Sequence, residues 1–293
     1  MNYKVLISDN LSKGIVNKFK REDIGVVYNP EIGKDNSLLL KEICNYDAIA
    51  IRSDTKLDSV VLNKAIKLKV IGRAGIGVDN IDLDSASSKG IVVMNTPFGN
   101  AITTAEHTIA MIFAAARNIP AANQSTQSGR WEKKKFIGIE LSRKKLGIVG
   151  VGNIGSIVAA LAQSIGMEII AFDPFLSDER AKNLKIYKTK DLNDLLSQSD
   201  VVTLHLPKNE NTHNIISSKN IFKMKKGSIL VNCARGGLVE EIAVAEAIKT
   251  KHLSAAAFDV FLEEPATSNP LFGLKNVICT PHLGASTAEA QEK

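Results

Sequence analysis

The chain has 293 residues, more than an average single domain, and each half is long enough to bury a core of its own. It is 44% hydrophobic and 23% charged; no apolar run nears the roughly 20 residues that cross a bilayer, and the start MNYKVLISDN has no signal-peptide core. Thirty-seven Lys and Arg against thirty-one Asp and Glu leave a net charge of +6 that is spread along the chain with only 5% aromatics, which disfavours nucleic acid and favours a small anionic ligand.

Cys44, Cys233 and Cys279 share no metal-ligand spacing, and an odd count suits a reduced compartment. A cytoplasmic protein without metal, membrane or nucleic-acid partners is expected.

Short β-branched apolar runs alternate with helix-like pieces. Strands are predicted at 4–8, 25–28, 48–51, 70–72 and 91–94, and again at 146–149, 168–172, 201–204, 228–232, 255–258 and 277–279. Capped amphipathic pieces are read at 191–196 and 217–224, a strong helix at 103–117, and a second helix begun by Pro120. Near-continuous apolar strands separated by helices mean parallel sheets covered on both faces. About five strands precede residue 97 and about six follow residue 145, so two α/β units are expected rather than one barrel.

Two glycine clusters follow strands. Gly72-Arg-Ala-Gly75-Ile-Gly77 lacks the third glycine of a nucleotide fingerprint, Asn80 standing there instead, and reads as a loop beside a ligand. Leu146-Gly-Ile-Val-Gly150-Val-Gly152-Asn153-Ile154-Gly155 is strand, glycine turn and helix. There Gly150 permits the turn, Gly152 lets a pyrophosphate approach the backbone, and Gly155 lets helix pack on strand. The helix N-terminus offers N–H groups and partial positive charge to the phosphates. Eighteen residues beyond Gly155, Asp173 ends the next strand, where a carboxylate accepts ribose hydroxyls and repels a 2′-phosphate. The cofactor expected is NAD.

Oxidation of a hydroxy acid with NAD needs a cation for the carboxylate, a base for the hydroxyl proton and an acid that orients that base. Arg235, Glu264 and His282 each follow a late strand, at the carboxyl edge where parallel sheets bind ligands.

These segments together (the Gly72 loop, the Gly150 fingerprint, Asn232-Cys-Ala-Arg-Gly-Gly, Asp259-Val-Phe-Leu-Glu-Glu-Pro and Pro281-His-Leu-Gly-Ala-Ser-Thr) resemble the D-isomer-specific 2-hydroxyacid dehydrogenases. The resemblance runs from about Lys4 to the end of the chain. It implies a flavodoxin-like substrate domain (1–97 plus 283–293) and a Rossmann NAD domain (98–282), with a cleft between them that closes on binding. It implies that Arg235 binds substrate carboxylate and carbonyl, that His282 is the acid/base, and that Glu264 hydrogen-bonds His282.

Cofactor contacts implied are Gly150, Gly152, Asn153, Ile154 and Gly155 at the phosphates and Asp173 at the ribose. Leu206, Cys233, Ala234, Arg235, Asp259, His282, Gly284 and Ala285 are implied around adenosine and nicotinamide, with Cys233 a wall residue and not a nucleophile. Arg52, Ser53, Arg73 and Gly75 match positions at the anionic end of the substrate, which points to a phosphorylated 2-hydroxy acid. Lys133 matches a position that reaches the substrate from a neighbouring subunit, and a homodimer through the NAD domain is implied.

Two departures stand out. Ile76 replaces a frequent Thr near the cofactor, and Ser142-Arg143-Lys144-Lys145 replaces a glycine-containing approach to the fingerprint strand. Seven residues follow Ser286, so no regulatory domain is expected. Alternatives are a reductase of glyoxylate, hydroxypyruvate or another 2-oxo acid, and a non-enzymatic NAD-sensing protein of corepressor type.

Overall fold

A computed structural model describes residues 3–12, 14–97 and 99–292. The chain forms two compact units, Met1–Asn100 with Thr287–Lys293, and Ala101–Ser286. These divisions fall a few residues beyond the boundaries expected at 97/98 and 282/283; Phe98 and Lys293 lie outside the described residues.

Unit 1 is built on β1 (Lys4–Ile7), β2 (Gly25–Tyr28), β3 (Ala48–Ile51), β4 (Val70–Arg73) and β5 (Val92–Asn95), all parallel, in the order β2-β1-β3-β4-β5. That is the flavodoxin-like order. Its core gathers Leu6, Ile49, Ile51 and Ile71 from the strands with Leu39, Val61 and Leu62 from covering helices. Each such side chain stabilises the fold by about 1.5–3 kcal/mol on leaving water.

Unit 2 carries β6 (Lys145–Val149), β7 (Glu168–Phe172), β8 (Tyr187–Lys188), β9 (Val201–Leu204), β10 (Ser228–Asn232), β11 (Leu253–Phe258) and β12 (Val277–Cys279). Their parallel order is β12-β11-β10-β9-β6-β7-β8, a Rossmann arrangement whose direction reverses between β6 and β9. Alternate strand residues serve opposite faces. Ile229, Val231, Ala255 and Ala257 join a core under the helices Ala101–Ala116 and Asn153–Ser164. Leu230, Ala256 and Phe258 join another under Leu192–Gln198 and Glu241–Lys249. This period-two division explains why the strands read as continuous apolar runs.

Two expectations need correction, and one departure is explained. The second sheet has seven strands, the seventh being Tyr187–Lys188, too short to leave a periodic signal. Segment 217–224 forms no amphipathic helix; Asn220 bonds back to Ser217 N–H and Ile215 C=O, and only the 3₁₀ turn Ile221–Lys223 results. The departure before the fingerprint strand is resolved by Arg143, which adopts φ +63 and donates its N–H to Gly166 C=O, taking the left-handed turn that glycine makes without strain.

Candidate active site

In unit 2 the residues singled out from sequence, Lys133 excepted, sit at the carboxyl ends of β6, β7, β9, β10, β11 and β12. The glycine turn follows β6. Gly150 has φ +94, and a β-carbon on Gly155 would stand 2.1 Å from Gly150 O, so neither position admits a side chain. Gly152 caps the helix Asn153–Ser164 and has nothing within 4 Å of where a β-carbon would be. Gly152 gives the helix no side-chain cap and leaves open space at its N-terminus, which fits a pyrophosphate.

Asp173 follows β7. Its Oδ2 accepts from Val151 N–H at 2.7 Å and its Oδ1 from Phe175 N–H at 2.8 Å, so the carboxylate also braces the glycine turn. Leu206, after β9, packs over that turn, its Cδ2 lying 2.7 Å from the β-carbon Gly150 lacks. His205 beside it is neutral, because burial lowers its pKa to about 3; its Nε2 meets Thr203 Oγ1 at 3.1 Å.

After β10, Asn232 organises the next loop. Its Nδ2 donates to Arg235 O at 2.9 Å and its Oδ1 accepts from Ala234 N–H at 3.1 Å. Arg235 is half-buried and donates Nη1–H to Ala234 O at 2.7 Å. Cys233 is buried and its thiol is pushed up to about 12, first by burial and then by the charge of Asp259. It lines the site and cannot act as a thiolate near neutrality. The Arg235 loop meets the loop after β11 backbone to backbone: a β-carbon on Gly236 would lie 1.7 Å from Phe261 O.

Glu264 and His282 are brought together. Glu264 Oε1 accepts from Phe261 N–H at 2.9 Å, and Oε2 pairs with His282 Nδ1 at 2.7 Å. Burial pushes the Glu264 carboxyl up, but the His282 and Phe261 hydrogen bonds outweigh it and hold the group below its ordinary value. An ionised Glu264 fixes the Nδ1–H tautomer or the imidazolium of His282, leaving Nε2 to exchange a proton with a ligand. His282 stands at φ +55 with its N–H on Asp259 O at 2.8 Å.

Asp259 is fully buried and knits this loop together. Oδ1 accepts from Thr280 Oγ1 at 2.5 Å and Leu283 N–H at 2.8 Å, and Oδ2 from Gly284 N–H at 2.8 Å. His107 Nε2 approaches Oδ1 at 3.2 Å. Sequence reasoning missed His107; its signal was a polar stripe, Thr104, His107 and Thr108, at helical spacing on a largely apolar helix. Ala234 is buried with Cys233, and Ala285 follows the anchored Gly284.

In unit 1, Arg52, Ser53, Arg73 and Gly75 lie at the carboxyl ends of β3 and β4. The Arg52 N–H bonds to buried Asp9, which also accepts from Thr55 Oγ1 at 2.6 Å, and Asn80 Nδ2 donates to Arg52 O at 2.6 Å. Ser53 is exposed. The Arg73 guanidinium covers Gly75, whose missing β-carbon would lie 1.9 Å from Nη1. Sequence reasoning missed Asp9, an acid just past β1. Lys133 is exposed in the 3₁₀ turn Lys133–Lys135, and its neighbour Lys135 pairs with Glu132 at 2.5 Å.

Known proteins place these features. Residues 109–284 match the family model described as D-isomer specific 2-hydroxyacid dehydrogenase, NAD binding domain. The chain is 46% identical over 289 residues to D-3-phosphoglycerate dehydrogenase of Archaeoglobus fulgidus, covering 98% of this chain and 54% of that protein. It is 43% identical over 289 residues to the enzyme of the same name from Bacillus subtilis, covering 99% and 54%. Among solved structures, a glyoxylate reductase from Paecilomyes thermophila superposes with TM-score 0.89 at 29% identity, covering 99% of this chain and 91% of that one. A D-lactate dehydrogenase from Aquifex aeolicus, complexed with NAD and lactic acid, gives 0.87 at 28% identity, covering 99% and 91%.

The chain belongs to the D-isomer specific 2-hydroxyacid dehydrogenase family, and the segment that holds the glycine turn and Asp173 is the family's NAD binding domain. It spans about half the length of the curated relatives it matches.

Proposed function

We propose that the protein oxidises D-3-phosphoglycerate at C2 to 3-phosphohydroxypyruvate with NAD, the reaction that opens serine biosynthesis. The observation that carries this reading is the pairing of His282 with Glu264 on the carboxyl edge of an NAD domain, in a chain 43–46% identical to proteins named for that activity.

The residues divide the work. Arg235 holds the substrate carboxylate and polarises the C2 oxygen. His282 removes the C2 hydroxyl proton at Nε2, while Glu264 orients the ring and stabilises the imidazolium that forms. Such acid–base action contributes about 10²–10⁴-fold. NAD, when bound, supplies the acceptor for the C2 hydride. Gly150, Gly152, Asn153, Ile154 and Gly155 cradle its pyrophosphate, and Asp173 takes its ribose. Unit 1 supplies Arg52, Ser53 and Arg73 for the phosphate end and serves as the substrate domain.

The protein acts in the cytoplasm as a homodimer through unit 2. Three free cysteines support the reducing compartment, and Trp131 and Ile137, 86% and 81% exposed near Lys133, support an apolar contact with a second copy.

Turnover of D-3-phosphoglycerate with NAD, followed at the absorbance of the reduced nicotinamide, tests the reading against glyoxylate and hydroxypyruvate reduction. A higher kcat/KM for either 2-oxo acid than for phosphohydroxypyruvate overturns the substrate assignment, and no turnover of any overturns the enzymatic one.

A further inference from the structure

A buried polar cluster of unit 2, centred on Asp259, joins the site to the helix Ala101–Ala116. The helix Ala101–Ala116 is apolar along most of its length, with Ala105, Met111, Ile112, Ala115 and Ala116 in the core. On the side that meets the β11 and β12 loops it carries Thr104, His107 and Thr108, spaced i, i+3 and i+4 and therefore on one face. Thr104 Cγ2 lies 3.4 Å from the β-carbon that Gly284 lacks, Thr108 Oγ1 donates to Thr104 O at 2.8 Å, and His107 Nε2 stands 3.2 Å from Asp259 Oδ1 and 3.4 Å from Thr280 Oγ1.

Asp259 is the hub. Its carboxylate holds the Leu283 and Gly284 amides and the Thr280 hydroxyl, and its backbone C=O holds the His282 amide. Four anchors on one buried residue therefore bracket His282, which keeps a left-handed backbone at φ +55. For a residue with a β-carbon that conformation persists only where the surroundings over-determine it. The carboxylate's loop partners, Thr280, Leu283 and Gly284, all belong to the segment that it positions, and His107 is the contact that ties it to the helix. The imidazole of His107 closes the cluster from the helix side.

We propose that His107 is a positioning residue: by donating Nε2–H to Asp259 it fixes the carboxylate that holds the 280–284 loop, and so sets where the His282 imidazole points. This rests on the assignment of His282 as the proton-transfer group. His107 touches neither proton-transfer partner, and its effect passes wholly through Asp259 and main-chain hydrogen bonds.

The pair His107→Gln and His107→Leu separates the donor from the bulk, since a glutamine Nε2 reaches where the histidine Nε2 lies. The expected result is that His107→Leu lowers kcat at least tenfold with little change in NAD affinity, while His107→Gln stays within about threefold of wild type. Amide hydrogen exchange gives a readout that needs no turnover: the Leu283 and Gly284 amides should exchange faster in His107→Leu and be restored in His107→Gln, with the β10 amides unchanged as an internal control. Unaltered exchange at Leu283 and Gly284 in His107→Leu overturns the proposal, as does His107→Gln failing as badly as His107→Leu. If His107→Leu does not fold, His107→Gln with wild-type exchange and kcat supports the donor role, and loss of either overturns it. If faster exchange appears while kcat is untouched, the link from His107 to the loop stands and the role of His282 is what fails.

Discussion

His282 Nδ1 and Glu264 Oε2 lie 2.7 Å apart, and this contact commits the imidazole to offering Nε2 to a ligand. His282→Ala should lower kcat by at least about 10²-fold while NAD affinity changes little, because the lost contribution is proton transfer. Glu264→Gln should lower kcat less, since the amide oxygen still accepts from Nδ1–H but no longer stabilises imidazolium. Steady-state kinetics with a fluorescence titration of NAD checks both; a near wild-type kcat for His282→Ala removes it from the mechanism.

A second expectation concerns acid. Burial pushes the Asp259 carboxyl up, but hydrogen bonds from His107, Thr280 and Leu283 outweigh it, so its folded pKa is lowered. Glu264 is displaced the same way. A carboxyl lowered on folding contributes stability that is present above its unfolded pKa, about 4, and is lost as pH falls through the folded one. Melting temperature should therefore drop from about pH 4 downwards. Asp259→Asn should melt lower at pH 7, by a cost of order 1–3 kcal/mol, with a shallower acid slope. Parallel slopes for the two proteins would show that Asp259 is not linked to acid unfolding.

Asp173 braces Val151 N–H and, in the proposed function, takes the ribose of NAD. Asp173→Ala should weaken NAD binding, narrow the gap to NADP and lower the melting temperature, because a donor on buried Val151 loses its partner. Asp173→Asn keeps an acceptor for one of the two amides that the carboxylate holds and no charge, so it should narrow the cofactor gap with a smaller loss of stability than Asp173→Ala. Equal discrimination in all three proteins would assign ribose reading elsewhere.

In unit 1, Gly75→Ala should displace the Arg73 guanidinium, since the new carbon would fall 1.9 Å from Nη1 and the backbone holds φ +154. The KM for D-3-phosphoglycerate should rise with the NAD KM unchanged. Lys133→Ala should raise the same KM by only about two- to fivefold, the worth of an exposed ion pair, and less at high salt. An equal rise with an unphosphorylated 2-hydroxy acid would mean that neither residue senses the phosphate.

The glycine turn and Asp173 were legible because their chemistry is written within one short stretch, where spacing alone implies geometry. Arg235, Glu264 and His282 were legible because each lies in the loop that follows a strand, and parallel strands deliver those loops to one edge. His107 was not, since its partners Asp259 and Thr280 lie more than 150 residues away and its neighbours mark it as ordinary helix. Asp9 was hidden likewise; its partners, Arg52 N–H and Thr55, come from a strand end over forty residues later. The strand Tyr187–Lys188 exists because β7 offers it a ladder, which no two-residue pattern announces.

The seam at Gly236 carries one more consequence. With Phe261 O where a β-carbon would sit, the Arg235 loop and the loop leading to Glu264 leave no space for a single added atom. Two loops so closely abutted cannot slide past each other. The spacing between the guanidinium's anchor and the carboxylate that steadies His282 is therefore gauged by main chain rather than by rotamers. Drift at this point is closed to every other amino acid, and a shift in substrate preference must come from residues that flank the pair without parting it.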